Sequence, residues 1–407
     1  EILYSGFKKL NMPAIAGYKA GEHRPREAPL IFDRASDVGY PALPMDVSLA
    51  QAYIASLEYI HHHISPSVSE WKTKLYFNHV AHVMDDSERP DVPMRMDMPG
   101  WSQTWGFYSQ LKGTKGKHDW KTNLSGHHNH SLAEMTMYSD TPGQTDMFML
   151  TWPGVATRYA DIFAEDSYSF HEKWKSVTSA GLAVHNNLVD NITGLRSLRI
   201  FYPDLSKSRT RLLKRISSSL VRESESWLLS VSAGYGERAP GISEGYGYFL
   251  FNSFDRFDYI GNPEMKNEKT ITYGVIAAYR HSRLSAKVSG SAFQVYDYII
   301  GKPDNNLSAM TIGAAGVKVY GQLRHARIMT GTVELNWQID KNWLWTSRAS
   351  YRNGKGAGVG ALPLMQPFSF QGGISFAHKS FSADASVAGA AKQNRFNPAF
   401  GEAPLPA

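Results

Sequence analysis

Apolar and polar residues alternate with a period of two along most of this chain, the pattern of strands with one face buried or oily and the other wet. Val333, Leu335, Trp337 and Ile339 alternate with Glu334, Asn336, Gln338 and Asp340. Lys341-Asn342 then turns the chain into a partner strand carrying Trp343 and Trp345. Successive side chains on a strand point to opposite faces, so one face of this predicted hairpin is aromatic and the other polar. The pattern repeats in Trp227, Leu229, Val231, Ala233 and Tyr235, and in Ile271, Tyr273, Val275, Ala277 and Tyr279, which lead through His281-Ser282 into Leu284, Ala286 and Val288. Phe381, Ala383, Ala385 and Val387 follow a turn at His378-Lys379-Ser380, and Trp71, Thr73, Leu75 and Phe77 show the pattern earlier.

These hairpins predict strands of roughly ten residues, long enough to cross a thin hydrocarbon layer at a tilt. Strands of soluble sandwiches run to about five or six. Short polar turns are expected to alternate with long connections at 84–101, 139–168, 202–226 and 239–268. Helical periodicity is poor, and no boundary splits off a second domain. The expectation is therefore an all-β, large antiparallel transmembrane barrel, with residues 1–407 one partial barrel domain. Residues 1–46 read least well, because Pro13, Pro25 and Pro29 interrupt the alternation and a proline cannot donate to a ladder; a distorted hairpin is expected there.

Composition narrows the class only modestly. A hydrophobic fraction of 42% suits a globular core or a barrel, whereas 21 Tyr and 10 Trp are the excess expected of two interfacial belts. No run of about 18 uncharged apolar residues is present, so any membrane segment must be a strand. With no Cys, disulfides and thiolate metal sites within the chain are excluded. The net charge of +6 is mild, but Lys207-Ser-Arg-Thr-Arg-Leu-Leu-Lys-Arg215 concentrates cations. That run reads as a solvated loop or lumen-facing patch, or as an attractor of lipid phosphate; no nucleic-acid motif accompanies it.

The candidate chemistry is sulfur and imidazole. Met94, Met96 and Met98 are spaced at two, so an extended segment points all three thioethers the same way, and Pro93 and Pro99 bracket them at a loop or strand end. Thioethers and imidazoles suit soft Cu(I), while Asp85, Asp86 and Asp97 would suit harder ions. His79 and His82 complete the predicted metal set. Met135 with Met137, and Met147 with Met149, repeat the spacing. His128 and His130 share a face of a strand predicted from about Lys117 to Tyr138, with a lumenal lining expected, and Met135, Met137, His128 and His130 are ligand-loop candidates. The alternative for every methionine is an adaptable apolar filler. At His61-His-His63 at most two imidazoles converge, and a polar strand end is expected. There is no Gly-x-Ser-x-Gly elbow, Walker loop, His-Glu-x-x-His or dinucleotide fingerprint, Gly113-Thr-Lys-Gly-Lys117 reads as a hairpin turn, and no enzymatic activity or required cofactor is expected.

The stretch from Gly234 to Lys269, with Arg238-Ala-Pro-Gly-Ile-Ser-Glu244 and Gly261-Asn-Pro-Glu-Met-Lys-Asn-Glu268, resembles barrel segments of TonB-dependent outer-membrane receptors. Pro41-Ala-Leu-Pro-Met-Asp46, Asn78-His-Val-Ala-His-Val-Met-Asp85, Met94-Arg-Met-Asp-Met98 and Phe396-Asn-Pro-Ala-Phe-Gly-Glu402 are similar to segments of the branch that includes the copper receptors, in the expected order. The resemblance implies a 22-stranded barrel in the complete family member, filled by an N-terminal plug. Relative to that pattern the chain reads as an incomplete barrel portion, lacking the plug and C-terminal strands. It implies a Gram-negative outer-membrane location and uptake of a scarce ligand, copper or another metal ion first and a metal chelate such as a siderophore next. Loops would close over the ligand, and TonB-ExbB-ExbD would act through a plug. Copper receptors pair a Met/His barrel site with a Cys/Met plug site; here the matching barrel segment carries Met instead of a His-x-Met core. Expected partners are membrane lipid, lipopolysaccharide, and surface or periplasmic subunits, with no nucleic acid. The rivals are a non-transporting outer-membrane anchor in a larger assembly and a soluble all-β carbohydrate binder.

Overall fold

The computed structural model describes residues 5–19, 25–39, 45–311 and 313–403; residues 41–44 of the Pro41–Asp46 segment lie outside them. The described residues form one 19-stranded sheet. It starts with β1 (Lys8–Lys19), β2 (Pro25–Ser36), β3 (Asp46–Ser65), β4 (Val68–Asp85), β5 (Arg95–Lys115) and β6 (His118–Tyr138). It continues through β7 (Met147–His171), β8 (Trp174–Val189), the helix α1 (Ile192–Phe201), β9 (Ser208–Glu223) and β10 (Trp227–Arg238). A long connection carries α2 (Ile242–Tyr246), β11 (Leu250–Asn252) and β12 (Phe257–Ile260). Then follow β13 (Glu268–His281), β14 (Leu284–Pro303), β15 (Gly316–Gln338), β16 (Trp343–Gly356), the short β17 (Gly360–Ala361), β18 (Ser369–His378) and β19 (Phe381–Ala390). Apart from β11, β12 and β17, each strand is antiparallel to the next, an up-and-down wall. Among the described residues no ladder joins β1 to β19, so the sheet is open. No described helix is long and apolar enough to cross a membrane, which bears on helices only.

Register assigns the two faces. Leu124, Ile162 and Leu182 form one row across β6, β7 and β8, and Val231 faces Val275 as Val288 faces Val333. All seven are 50–60% exposed. Rows of exposed aliphatics on one face suit contact with hydrocarbon, not water. At the short-turn end the belt becomes aromatic: Trp227 stacks at 4.9 Å on Tyr279, Trp337 faces Trp345, and Trp343 lies 4.7 Å from Phe376. The opposite face carries ion pairs, among them Lys72–Glu58 (3.0 Å), Lys112–Glu70 (2.9 Å), Lys121–Glu165 (2.7 Å) and Asp161–Arg215. Polar groups inside and apolar groups outside is the arrangement of a barrel around a wet lumen.

Four expectations need correction. Residues 8–19 and 25–36 pair antiparallel in unbroken register, Pro13 opposite Ile31 and Ile15 opposite Pro29. Pairing of β2 to β3 lapses at Ala28 and Pro29, so the gap left by the missing donor falls on that side. Only 139–146 of the predicted 139–168 connection is loop, because β7 is a 25-residue strand whose alternation is disturbed by register shifts opposite Ser131 to Glu134. The basic run is likewise no loop: it lies in β9, with Arg211 and Arg215 on the inner face and Lys214 on the outer. Finally, half of 84–101 is the facing ends of β4 and β5, and only 86–94 connects them. The 239–268 connection is a long one as expected. His61 to His63 sit at the irregular end of β3, where His62 Nδ1 lies 3.2 Å from Glu70.

Candidate functional site: a methionine-lined mouth

Strands β5, β6, β7 and β15 are 21, 21, 25 and 23 residues long, about twice what a tilted crossing needs. They therefore project beyond the aliphatic belt at the long-loop end, and the methionines sit in that projection. Met96 lies directly opposite Met137, which lies opposite Met147. Met135 faces Met149 and Met84 faces Met98. Directly opposed residues share a face with Cβ atoms about 4.5–5.5 Å apart, so thioethers from four consecutive strands form one inward patch. Met45 and Met310 join from flanking connections and Met94 from the loop before β5, placing ten of the chain's 14 methionines together.

The patch has depth. Met135 and Met137 are 0% and 2% exposed, whereas Met84, Met94, Met98 and Met147 are only partly buried. The deep group is roofed by Phe249, Ile260 and Val317, with Phe201 and Tyr248 against them. Phe201, Tyr248 and Phe249 pack mutually at ring separations of 5.2–6.2 Å.

Charged groups fasten the loops around this patch to the wall. Arg89 Nε donates to Asp46 Oδ2 (2.8 Å) and a second guanidinium nitrogen reaches the other carboxylate oxygen, both residues being buried. Asp86 accepts from the Met96 amide (3.1 Å). Burial pushes its carboxyl above the usual range, against the pull of that amide and of Arg95 and with the push of Asp97 and Asp85. Fully buried Asp258 accepts from the amides of Met310 (2.8 Å) and Thr311 (2.9 Å), pinning the 304–315 loop to β12.

The sequence-derived candidates divide by face. Met94, Met96, Met98, Met135 and Met137 come together, joined by Met147 and Met149. His82 shares the face of Met84, two residues along β4, while His79 points to the opposite face, 6.5 Å from the Tyr53 ring. His128 and His130 do share a face, but it is the outer one: His128 lies opposite Trp105 and Arg158, and His130 Nε2 is 3.2 Å from Asp190. The lumenal lining expected of them falls to His127, stacked at 5.2 Å on Tyr159, with His185 next in the row. The parity of β6 follows from Leu124, whose outward position places every even-numbered neighbour outside; that signal was present in the sequence. Met45, Met84 and Met310 carry no such signal, since each is brought in by register or by a loop.

The family described as TonB dependent receptor-like, beta-barrel, matches residues 33–404. No curated protein matches. Among solved structures, the copper transporter OprC is similar at 20% identity and a TM-score of 0.82, over 96% of this chain and 59% of that one. A double mutant of the Serratia marcescens hemophore receptor HasR in complex with HasA and heme follows at 14% and 0.67, covering 94% and 63%. The ferric citrate transporter FecA, unliganded, gives 11% and 0.67, covering 96% and 58%. At such identities the likeness is one of fold, and the chain spans about three fifths of each of these structures. The family match runs over most of the chain, and the protein accordingly belongs to the TonB-dependent receptor β-barrel family.

Proposed function

We propose that this chain is the barrel portion of an outer-membrane receptor that takes up a soft metal ion, copper(I) first, with energy delivered by TonB-ExbB-ExbD through a plug. The observation that carries the reading is the stack Met96–Met137–Met147 beside Met135–Met149. Thioethers are neutral, polarisable donors that favour Cu(I) over hard divalent ions. A metal chelate is served less well, because an anionic chelate calls for cationic donors, whereas this mouth is lined by thioethers and roofed largely by aromatic rings. The graded burial suits staged capture: the partly buried Met84, Met94, Met98 and Met147 meet the ion first, and the deep methionines hold it. Similarity to a copper transporter supports the cargo, and the exposed aliphatic belt supports the Gram-negative outer membrane as its location. The chemistry is binding and passage, with no bond made or broken by the protein.

The test is Cu(I) affinity, measured by competition with a chromogenic chelator on detergent-purified protein. Met96→Leu, Met137→Leu and Met147→Leu together keep volume and apolarity but remove three sulfurs. Affinity is expected to fall at least tenfold while the barrel stays folded. Unchanged affinity in the folded triple variant would sink the copper reading.

A further inference from the structure

On the outer face of β15 and β16 two cations stand directly opposite each other. Arg327 pairs with Lys355 across the ladder, with Gln294 of β14 on the other side of Arg327. Both cations are exposed. Like charges directly opposed across strands repel and destabilise the pair, and a third cation adds to them. Arg395 Nη1 donates to the Tyr351 hydroxyl (2.7 Å), and Tyr351 is on the same face of β16 as Lys355, four residues along. Among the described residues no carboxylate lies within ion-pair distance of any of the three. Such an arrangement is open to an anion from outside the chain.

What lies beneath it selects the anion's class. Met329 is one position below Arg327 on this face, flanked by Ala292 and Asn353. Tyr351 faces Gly331 next, and Val333 between Val288 and Ala349 begins the aliphatic belt. Met329, Tyr351 and Val333 are 38%, 45% and 50% exposed. A soluble anion would satisfy the cations and leave this apolar surface bare. A lipid with more than one anionic group satisfies both: one phosphate lies between Arg327 and Lys355 and a second meets Arg395 beside Tyr351, while the acyl chains run down the belt. Tyr351 suits the boundary, with an apolar ring and a polar tip.

We propose that Arg327 and Lys355, with Arg395 beside them on the same face, form a seat for the phosphates of an anionic, multiply acylated lipid, of the lipopolysaccharide class, in the leaflet at the long-loop end. This rests on the outer-membrane reading above. The experiment uses the chain extracted from membranes into detergent, with lipid A bisphosphate as probe and native mass spectrometry as readout. The unmodified protein is expected to retain one lipid A through detergent exchange. Retention is expected to drop at least tenfold in Arg327→Gln/Lys355→Gln/Arg395→Gln, and Lys287→Gln/Arg348→Gln, on the inner face near the short turns, is expected to retain it. Heat-modifiable gel mobility confirms that each variant is a folded barrel, and the single Arg327→Gln, with a smaller loss, serves should the triple variant fail to fold. Equal retention by the cation variants, or equal binding of dephosphorylated lipid A, overturns the seat while leaving the membrane reading intact. Recovery of the unmodified protein in the aqueous fraction without detergent overturns both.

Discussion

Two ladders of large apolar side chains run across this one sheet, and they behave oppositely. At the long-loop end, the methionines of β4 to β7 face inward and are covered in part or wholly, Met135 at 0% exposure. At the short-turn end, the aromatics of β10 and β13 to β18 face outward and stay open, Trp337 at 46%. Both arise from the same alternation and the same antiparallel register. The pattern thus marks which residues share a face and leaves undecided what covers that face. Loops close over the thioethers, whereas nothing among the described residues covers the indoles, which are suited to a lipid–water boundary.

The comparison breaks most severely where the 86–94 loop is fastened. Arg89→Ala removes the guanidinium from buried Asp46 and is expected to cost about 3–5 kcal/mol, read as a lowered denaturant midpoint of the refolded barrel and as raised proteolysis near residues 86–94. Met135→Ala leaves a cavity under Ile260 and should cost about 2–5 kcal/mol, whereas Met135→Leu should cost less than about 1.5 kcal/mol yet weaken Cu(I) retention. Loss of metal without loss of stability would separate sulfur chemistry from packing. On the outer face, Val333→Arg should cost about 2–4 kcal/mol in vesicle-refolded protein, although half-exposed Val333 would tolerate arginine in a soluble protein; a neutral outcome would argue that this face is wet. The smallest effect concerns pH. Asp86 has its carboxyl raised by burial, so its ionisation opposes folding above that raised value and the penalty fades as pH falls toward about 4. Asp86→Asn is therefore expected to be slightly more stable than the unmodified protein at pH 7, with the difference closing in acid denaturation series.

Most of the architecture was legible because period two is a strong signal wherever one face is apolar and the other charged, as along β13 to β16. It weakened where that contrast weakened. In β9 the run from Arg209 to Arg215 places cations on both faces, and in β7 a bulge shifts parity midway, so both read as connections. The prolines of β1 and β2 suggested distortion, yet a sheet tolerates them where the ladder to one neighbour lapses. Of the site, the same-face spacing of Met94, Met96 and Met98 was visible locally. Their meeting with Met84 and Met137 depends on register across 14 and 41 residues of chain, and with Met147 across ten more, which periodicity alone does not set. His128 and His130 show the complementary error, in which the right pairing was assigned to the wrong side of the wall.

The short strand β12 pairs in parallel with β15, Phe257 to Ile260 against Gly316 to Val319, and β11 folds back on it. The longest connection is thus sewn to the wall by backbone hydrogen bonds, with Ile260 of that strand forming part of the roof above the sulfurs. A roof of this kind cannot flap as loops held only by side chains do, since each opening would break a ladder. The mouth is preorganised, and the ordering cost of binding is met during folding and not on ligand arrival. Capture should then follow a single bimolecular phase proportional to ion concentration, without the concentration-independent plateau that a closing lid imposes, and amides of residues 257–260 should be among the slowest in the connection to exchange with solvent.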